Sequence, residues 1–492
     1  MESATTSVTR SASESRSGGR GGAGRFARTV LPLATAAVLA LLSVGTQPAS
    51  AQETGTEARL DSLESRVEAL QERLAREDTS EVAELRQQMD AVLRQIEQMR
   101  LGQDVVRADT SLYGLAPAAS KVYRVDRGVS VGGYGEVLYE TFADEREDGT
   151  ESGAENQFDA LRGIVYVGYK FSDDLLFNSE IEFEHATTSG GTGSASLEFA
   201  YLDYRIADEF NLRGGLLLPP MGFINEVHEP PTFLGTERPL TEQVIIPTTW
   251  RENGFGVYGG SGDFEYRLYA VNSFDAVGDG ASPAGGFSAG SGIRGGRQKG
   301  GKATAEDVAA VGRVDWKGAP GLTVGSSFFL GETGQNAPVP AGVGGDDETI
   351  GARTFIWEGH AQYRARGFDL RGLYATADVD DVAQLNAARG LTGSQSIGEA
   401  MRGGYVQAGY NVLRQAETEH QLLPYLRLEQ VDTQAEVPEG ASANPANDRT
   451  VISVGAAWKP VPGAILKADY QVHSNEADTG VDQFNVAVGY LF

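Results

Sequence analysis

Glu226, His228, Glu229, Glu237, Arg238 and Glu242 all fall in one stretch, Pro219 to Arg251, which Pro219-Pro220, Pro230-Pro231, Pro239 and Pro247 stiffen. The same stretch holds Phe223, Ile224, Phe233, Leu234, Ile245, Ile246 and Trp250, side chains that gain from burial. A long loop with apolar content of its own is packed or functional. Folded into a barrel it would narrow the lumen and turn its charged groups towards a solute path. The alternatives are a lid over the rim and a subunit contact.

A second stretch, Gly292 to Lys302, reads GIRGGRQKGGK and gathers Arg294, Arg297, Lys299 and Lys302 on a glycine-rich backbone. Such a cluster attracts anions, and a solvated or lipid-phosphate-facing charge run is the plainer reading. Gly296 to Lys302 spells GxxxxGK, but Ala303 stands where a nucleotide loop needs Ser or Thr, and no helix with a core face follows. The five histidines, His185, His228, His360, His420 and His473, have no ligand spacing, and no GxSxG occurs. No metal, cofactor or catalytic residue is therefore expected, and the chain does not read as an enzyme.

The elements that must position these groups alternate with a period of two. In Leu175 to Thr187, Phe177, Ile181 and Phe183 share one face, while Asn178, Glu180, Glu182 and Glu184 share the other. Four such polar groups would ruin a dry core but suit a hydrated lumen. Arg162, Arg213 and Arg313 take equivalent inward positions on other strands. The final stretch, DQFNVAVGYLF, places Phe484, Val486, Val488, Tyr490 and Phe492 on one side. Its open edges need a partner in a bilayer, and Val129 to Phe142 is the partner expected. Segments of this kind recur near 129–142, 157–170, 175–187, 196–206, 210–218, 253–260, 264–274, 307–317, 321–331, 351–366, 368–379, 401–414, 421–432, 449–459, 463–473 and 482–492. Their connections alternate short and long, as periplasmic turns and external loops do. The expected fold is all-β, a 16-stranded antiparallel transmembrane β-barrel preceded by a signal peptide and an α-helical coiled coil.

Five arginines precede an apolar run from Val30 to Val44 and the small residues Ala49-Ser50-Ala51, the pattern of a secretory signal over residues 1–51. With net charge −27 and five Arg against Glu2 and Glu14 in the leader, the mature chain carries −27 − (5 − 2) = −30, so nucleic acid is not an expected partner. Cysteine is absent, which removes disulfide chemistry. Residues 52–100 change to a heptad: Leu60, Leu63, Val67, Leu70 and Leu74, then Val82, Leu85, Met89, Val92, Ile96 and Met99 after a break. So narrow a seam calls for copies of itself, and a helical hairpin or a helix on another partner are the alternatives. Residues 101–128 have no sustained period and read as a linker, leaving 129–492 for the barrel.

The leader, the heptads, GLAPAASKVY (Gly114 to Tyr123), GGYGE (Gly132 to Glu136) and the terminal Phe492 together resemble Gram-negative outer-membrane porins with an amino-terminal periplasmic coiled coil. MGFINEVHEPPTFLGTERP (Met221 to Pro239) with IIPTTWRENG (Ile245 to Gly254) is similar to the corresponding loop of porins grouped loosely with the phosphate-selective class. The resemblance implies a homotrimeric diffusion channel in outer-membrane lipid for small hydrophilic solutes or ions, anions among them, with the coiled coil free to contact the periplasm or cell wall. It carries over no phosphate site, because no ladder of arginines matches residue by residue. The alternatives are a structural protein that anchors a coiled coil through its barrel, and a barrel enzyme.

Overall fold

The computed structural model describes residues 111–189, 192–278, 283–343 and 348–492. The expected signal peptide and coiled coil lie outside the described residues. Sixteen strands form one closed antiparallel barrel in which each pairs with its sequence neighbours and the last pairs with the first. They are β1 (Gly128–Phe142), β2 (Gln157–Lys170), β3 (Leu175–Glu184), β4 (Ala195–Ala207), β5 (Phe210–Leu217), β6 (Glu252–Ser261), β7 (Phe264–Asn272) and β8 (Val308–Ala319). The second half comprises β9 (Leu322–Gly331), β10 (Thr354–Ala365), β11 (Phe368–Val379), β12 (Ala400–Tyr410), β13 (Gln421–Glu436), β14 (Asp448–Val461), β15 (Ala464–Asn475) and β16 (Gln483–Leu491). An even strand count returns the carboxyl terminus to the end where β1 begins. The short turns share that end, and the long loops emerge at the other.

Alternation sorts the side chains as a bilayer requires. Val129, Val131 and Tyr139 on β1 and Phe484, Val488 and Tyr490 on β16 face outward and are exposed, while Tyr134, Glu136, Asn485 and Ala487 face the lumen and are buried. Among the described residues no helix is long and apolar enough to cross a membrane. Closing β16 on β1 pairs Tyr490 with Gly135 and Val488 with Val137, and leaves no sheet edge open to lipid.

Strand ends differ from the alternation pattern where the backbone turns left-handed. β3 stops at Glu184 and not Thr187, because His185 and Ala186 adopt φ of 55° and 56°. β10 starts at Thr354 and not 351, after Ala352 at φ 48°. β13 runs on to Glu436, since its far end still pairs with Ala400 of β12.

The interior differs most from expectation. Residues 111–127, read as linker, are not free chain. Leu115, Ala116, Ala118, Ala119, Val122 and Tyr123 are buried in the same apolar cluster as the third-loop residues Met221, Ile245, Ile246 and Trp250. Glycines on the wall make room for them. A Cβ on Gly132 would lie 3.2 Å from the Ala118 carbonyl oxygen, and one on Gly168 would lie 2.7 Å from the Val122 Cβ. No hydrophobic period marks such a segment, because it lies in a groove and its regular structure is a single 3-10 turn, Lys121–Tyr123.

Candidate functional site

The loop between β5 and β6 enters the lumen, and the inward charges of the strands hold its main chain. Arg364 and Arg371 donate to the Thr232 carbonyl at 2.7 and 2.5 Å, Lys459 to that of Pro231 at 2.6 Å, and Lys467 to that of Gly235 at 2.8 Å. The carboxylate of Asp469 accepts from Thr236 N at 2.7 Å, and that of Glu429 from Thr241 N at 2.7 Å. Hydrogen bonds that involve a charge are the stronger kind, and their spacing along the loop fixes its path. Its short α-helix, α1 (Thr241–Val244), lies against β12 and β13. The apolar side chains add a packed end: Trp250 stacks on Phe274 with centroids 4.5 Å apart, and both meet Phe329.

Within the loop, three acids are committed to internal bonds. Glu242 accepts from Phe223 N at 2.8 Å, Ile224 N at 2.7 Å and the Tyr405 hydroxyl at 2.6 Å. Glu229 accepts from Ala118 N and Ala119 N at 2.9 and 3.0 Å. Glu226 joins Arg267 at 2.7 Å, and Arg267 reaches Asp315 at 2.6 Å. Asp315 is bonded in turn to Arg313 and His360, so the ion pairs run continuously from the loop across the wall. His228 bridges the Asn225 carbonyl and Glu180. Arg213 is held by Asp203, Tyr123 and Tyr269, and Arg313 also donates to the Gly222 carbonyl. Glu182 is buried, and Glu184 accepts from Ser194 near the long-loop rim. These groups build the lumen wall and grip the loop.

Glu237 and Arg238 are placed differently. With Glu136, Leu161, Arg162, Phe233, Thr236, Gln243, Thr248 and Arg294 they surround a cavity of about 100 Å³ between the loop and the β1–β2 wall. Arg162 and Glu136 are 3.4 Å apart without hydrogen-bond geometry, and Glu136 Oε1, Arg162 Nε and Arg238 Nη2 are buried without a partner. A polar cavity of this size with unmet donors and acceptors has room for a few waters. Burial, with Glu140 and Glu136 close by, pushes the Glu237 carboxyl up to about 7.

The basic stretch divides. Arg294 donates to the carbonyls of Gln243 and Thr248 at 3.1 and 2.5 Å, and Arg297 to those of Arg294 and Thr249 at 3.0 and 2.8 Å. Both tie the fourth long loop to the third. Lys299 and Lys302 are exposed. Among the described residues no group of three or more His, Asp or Glu could hold a metal. The partners that sequence reasoning missed are Tyr123 and the Ala118 and Ala119 amides. Only the glycines at 114, 132 and 168 gave a signal for the last two.

No family model matches the chain. Two solved structures with similar barrels are OmpF of Salmonella typhi in complex with daunomycin and the anion-selective porin from Comamonas acidovorans. The first is 13% identical with a TM-score of 0.49, covering 75% of this chain and 98% of that one. The second is 12% identical with a TM-score of 0.43, covering 74% and 99%. An uncharacterized protein of Aquifex aeolicus (strain VF5) is 38% identical over 386 residues, 77% of this chain and 83% of that protein. The chain belongs to the family of that Aquifex aeolicus protein.

Proposed function

We propose that the protein is an outer-membrane channel of the porin type, passing small hydrophilic solutes or ions as a homotrimer. The cavity beside Glu237 and Arg238 carries this reading. It is a polar gap bounded by the loop on one side and by the barrel wall on the other. Groups of both signs face it, which favours hydrated ions and small polar molecules over apolar ones, and the gap is narrow enough that movement of the loop sets the flow. The experiment is planar-bilayer recording on the purified full chain, which should give discrete current steps. Mass measurement in detergent tests the trimer.

A second reading has its own support. The apolar cluster that joins the third loop to residues 115–123 fills much of the lumen, as an anchor for a periplasmic coiled coil would allow. An anchor would give a folded barrel that stays silent in the bilayer at every voltage.

A further inference from the structure

We propose that residues 111–127 are an autoinhibitory stopper of the lumen, latched by the Glu229 carboxylate, and that the conducting form is the one from which the stopper has withdrawn. The inference rests on the channel reading above. The segment enters from the short-turn end, where it leads into β1, and is bonded to two separate surfaces. The third loop supplies Glu229, which takes the Ala118 and Ala119 amides. The wall supplies Asn178, whose Nδ2 donates to the Ala119 carbonyl at 2.8 Å, and Asp203, which accepts the Tyr123 hydroxyl at 2.6 Å.

The groove is shaped for its occupant. Gly132 and Gly168 lack side chains where Ala118 and Val122 sit. Gly114, at φ 83°, passes so close to Arg267 that a Cβ there would collide with the guanidinium. These contacts are side-chain caps, one turn of 3-10 helix and small-residue packing, and the segment adds no strand to the barrel. The barrel ladder therefore closes without it, as a separable stopper requires. Withdrawal would open the short-turn half of the lumen beneath the cavity at Glu237 and Arg238.

The chain has no cysteine, so a single engineered pair gives a clean lock. In the full-length Val122→Cys/Gly168→Cys protein the two Cβ positions lie near 2.7 Å, and a small outward shift of the segment brings them to disulfide geometry. Oxidised protein should lose its open events, and reductant should restore them. Independently, Glu229→Ala should raise the open-to-closed ratio by about tenfold or more, the effect of losing a buried carboxyl that holds two main-chain amides. If Glu229→Ala fails to fold, the lock decides alone. A lock that forms by mass and leaves the currents unchanged overturns the stopper while the channel reading stands, and a lock that cannot form also overturns it. If wild-type, Glu229→Ala and reduced proteins are all folded and silent, the channel reading fails and the stopper with it.

Discussion

Tyr490 covers Gly135 across the seam that closes the barrel: a Cβ on Gly135 would lie 2.5 Å from the phenol oxygen and 2.6 Å from the carbon that bears it. Phe492 stands in the same relation to Gly133, whose Cβ would meet the ring at 2.7 Å, and the two exchange main-chain hydrogen bonds of 3.0 and 2.9 Å. Gly133 and Gly135 thus serve as seats for the two terminal aromatics. Gly135→Val, which displaces Tyr490, and deletion of Phe492 should both lower the amount of closed barrel in the outer membrane. Electrophoresis of heated and unheated samples reads the closed form directly. Wild-type levels in both variants would rule out a role for these contacts in closure.

Acidity should favour the closed lumen. Burial pushes Glu229, Glu237 and Glu242 each up to about 7 while the loop is docked. A withdrawn, solvated loop would return them to roughly 4.3. The docked form therefore binds more protons, and this contribution to docking is complete below the ordinary carboxylate range and lost as pH rises through about 7. His228 and Glu180 face Glu229 and act on it in opposite directions. Open probability should rise from about pH 6 to about pH 8. A flat profile or the opposite slope would contradict the docking of these acids.

Arg267 joins the loop to the wall, since it bridges Glu226 and Asp315. Arg267→Ala removes the guanidinium that is hydrogen-bonded to buried Glu226, a loss of about 3–5 kcal/mol when one partner of a buried pair is removed. The barrel should survive and the loop should loosen. Limited proteolysis within 219–251 should accelerate by at least about tenfold at even half that loss, while the heat-resistant barrel band persists. Unchanged cleavage would mean that other contacts hold the loop.

The two halves of the basic stretch should separate in their effects. Arg294→Gln/Arg297→Gln removes guanidinium bonds to third-loop carbonyls and should change gating, seen as more frequent open events. Lys299→Gln/Lys302→Gln removes exposed charge only. With a Debye length of about 8 Å at physiological salt, that change should shift the reversal potential towards cations at low ionic strength and little at high. A selectivity shift confined to the arginine pair would reverse these assignments.

The barrel was legible because each strand carries its own evidence: Phe177 and Ile181 against Asn178 and Glu180 report a lipid side and a lumen side within a few residues. The closure of β16 on β1 followed from the need to leave no edge in lipid. What fills the lumen was less so. Burial of the third loop could be expected from Phe233, Ile245 and Trp250, but its grip depends on Arg364, Arg371, Lys459 and Lys467 finding carbonyls that any residue could offer. Residues 111–127 read as linker because groove packing rests on small side chains and main-chain bonds, and small residues such as Ala118 and Ala119 carry no period that would mark it. Arg294 and Arg297 read as mouth charges because the sequence cannot display the carbonyls they meet.

Single-channel recording on full-length protein and on a variant with residues 219–251 shortened between Leu218 and Glu252 is the most direct test. The full chain should give small, discrete steps, and the shortened chain, with its barrel confirmed by heat-modifiable migration, should give larger ones. Equal conductance from two intact barrels, or silence from both, would contradict a channel whose flow the third loop controls.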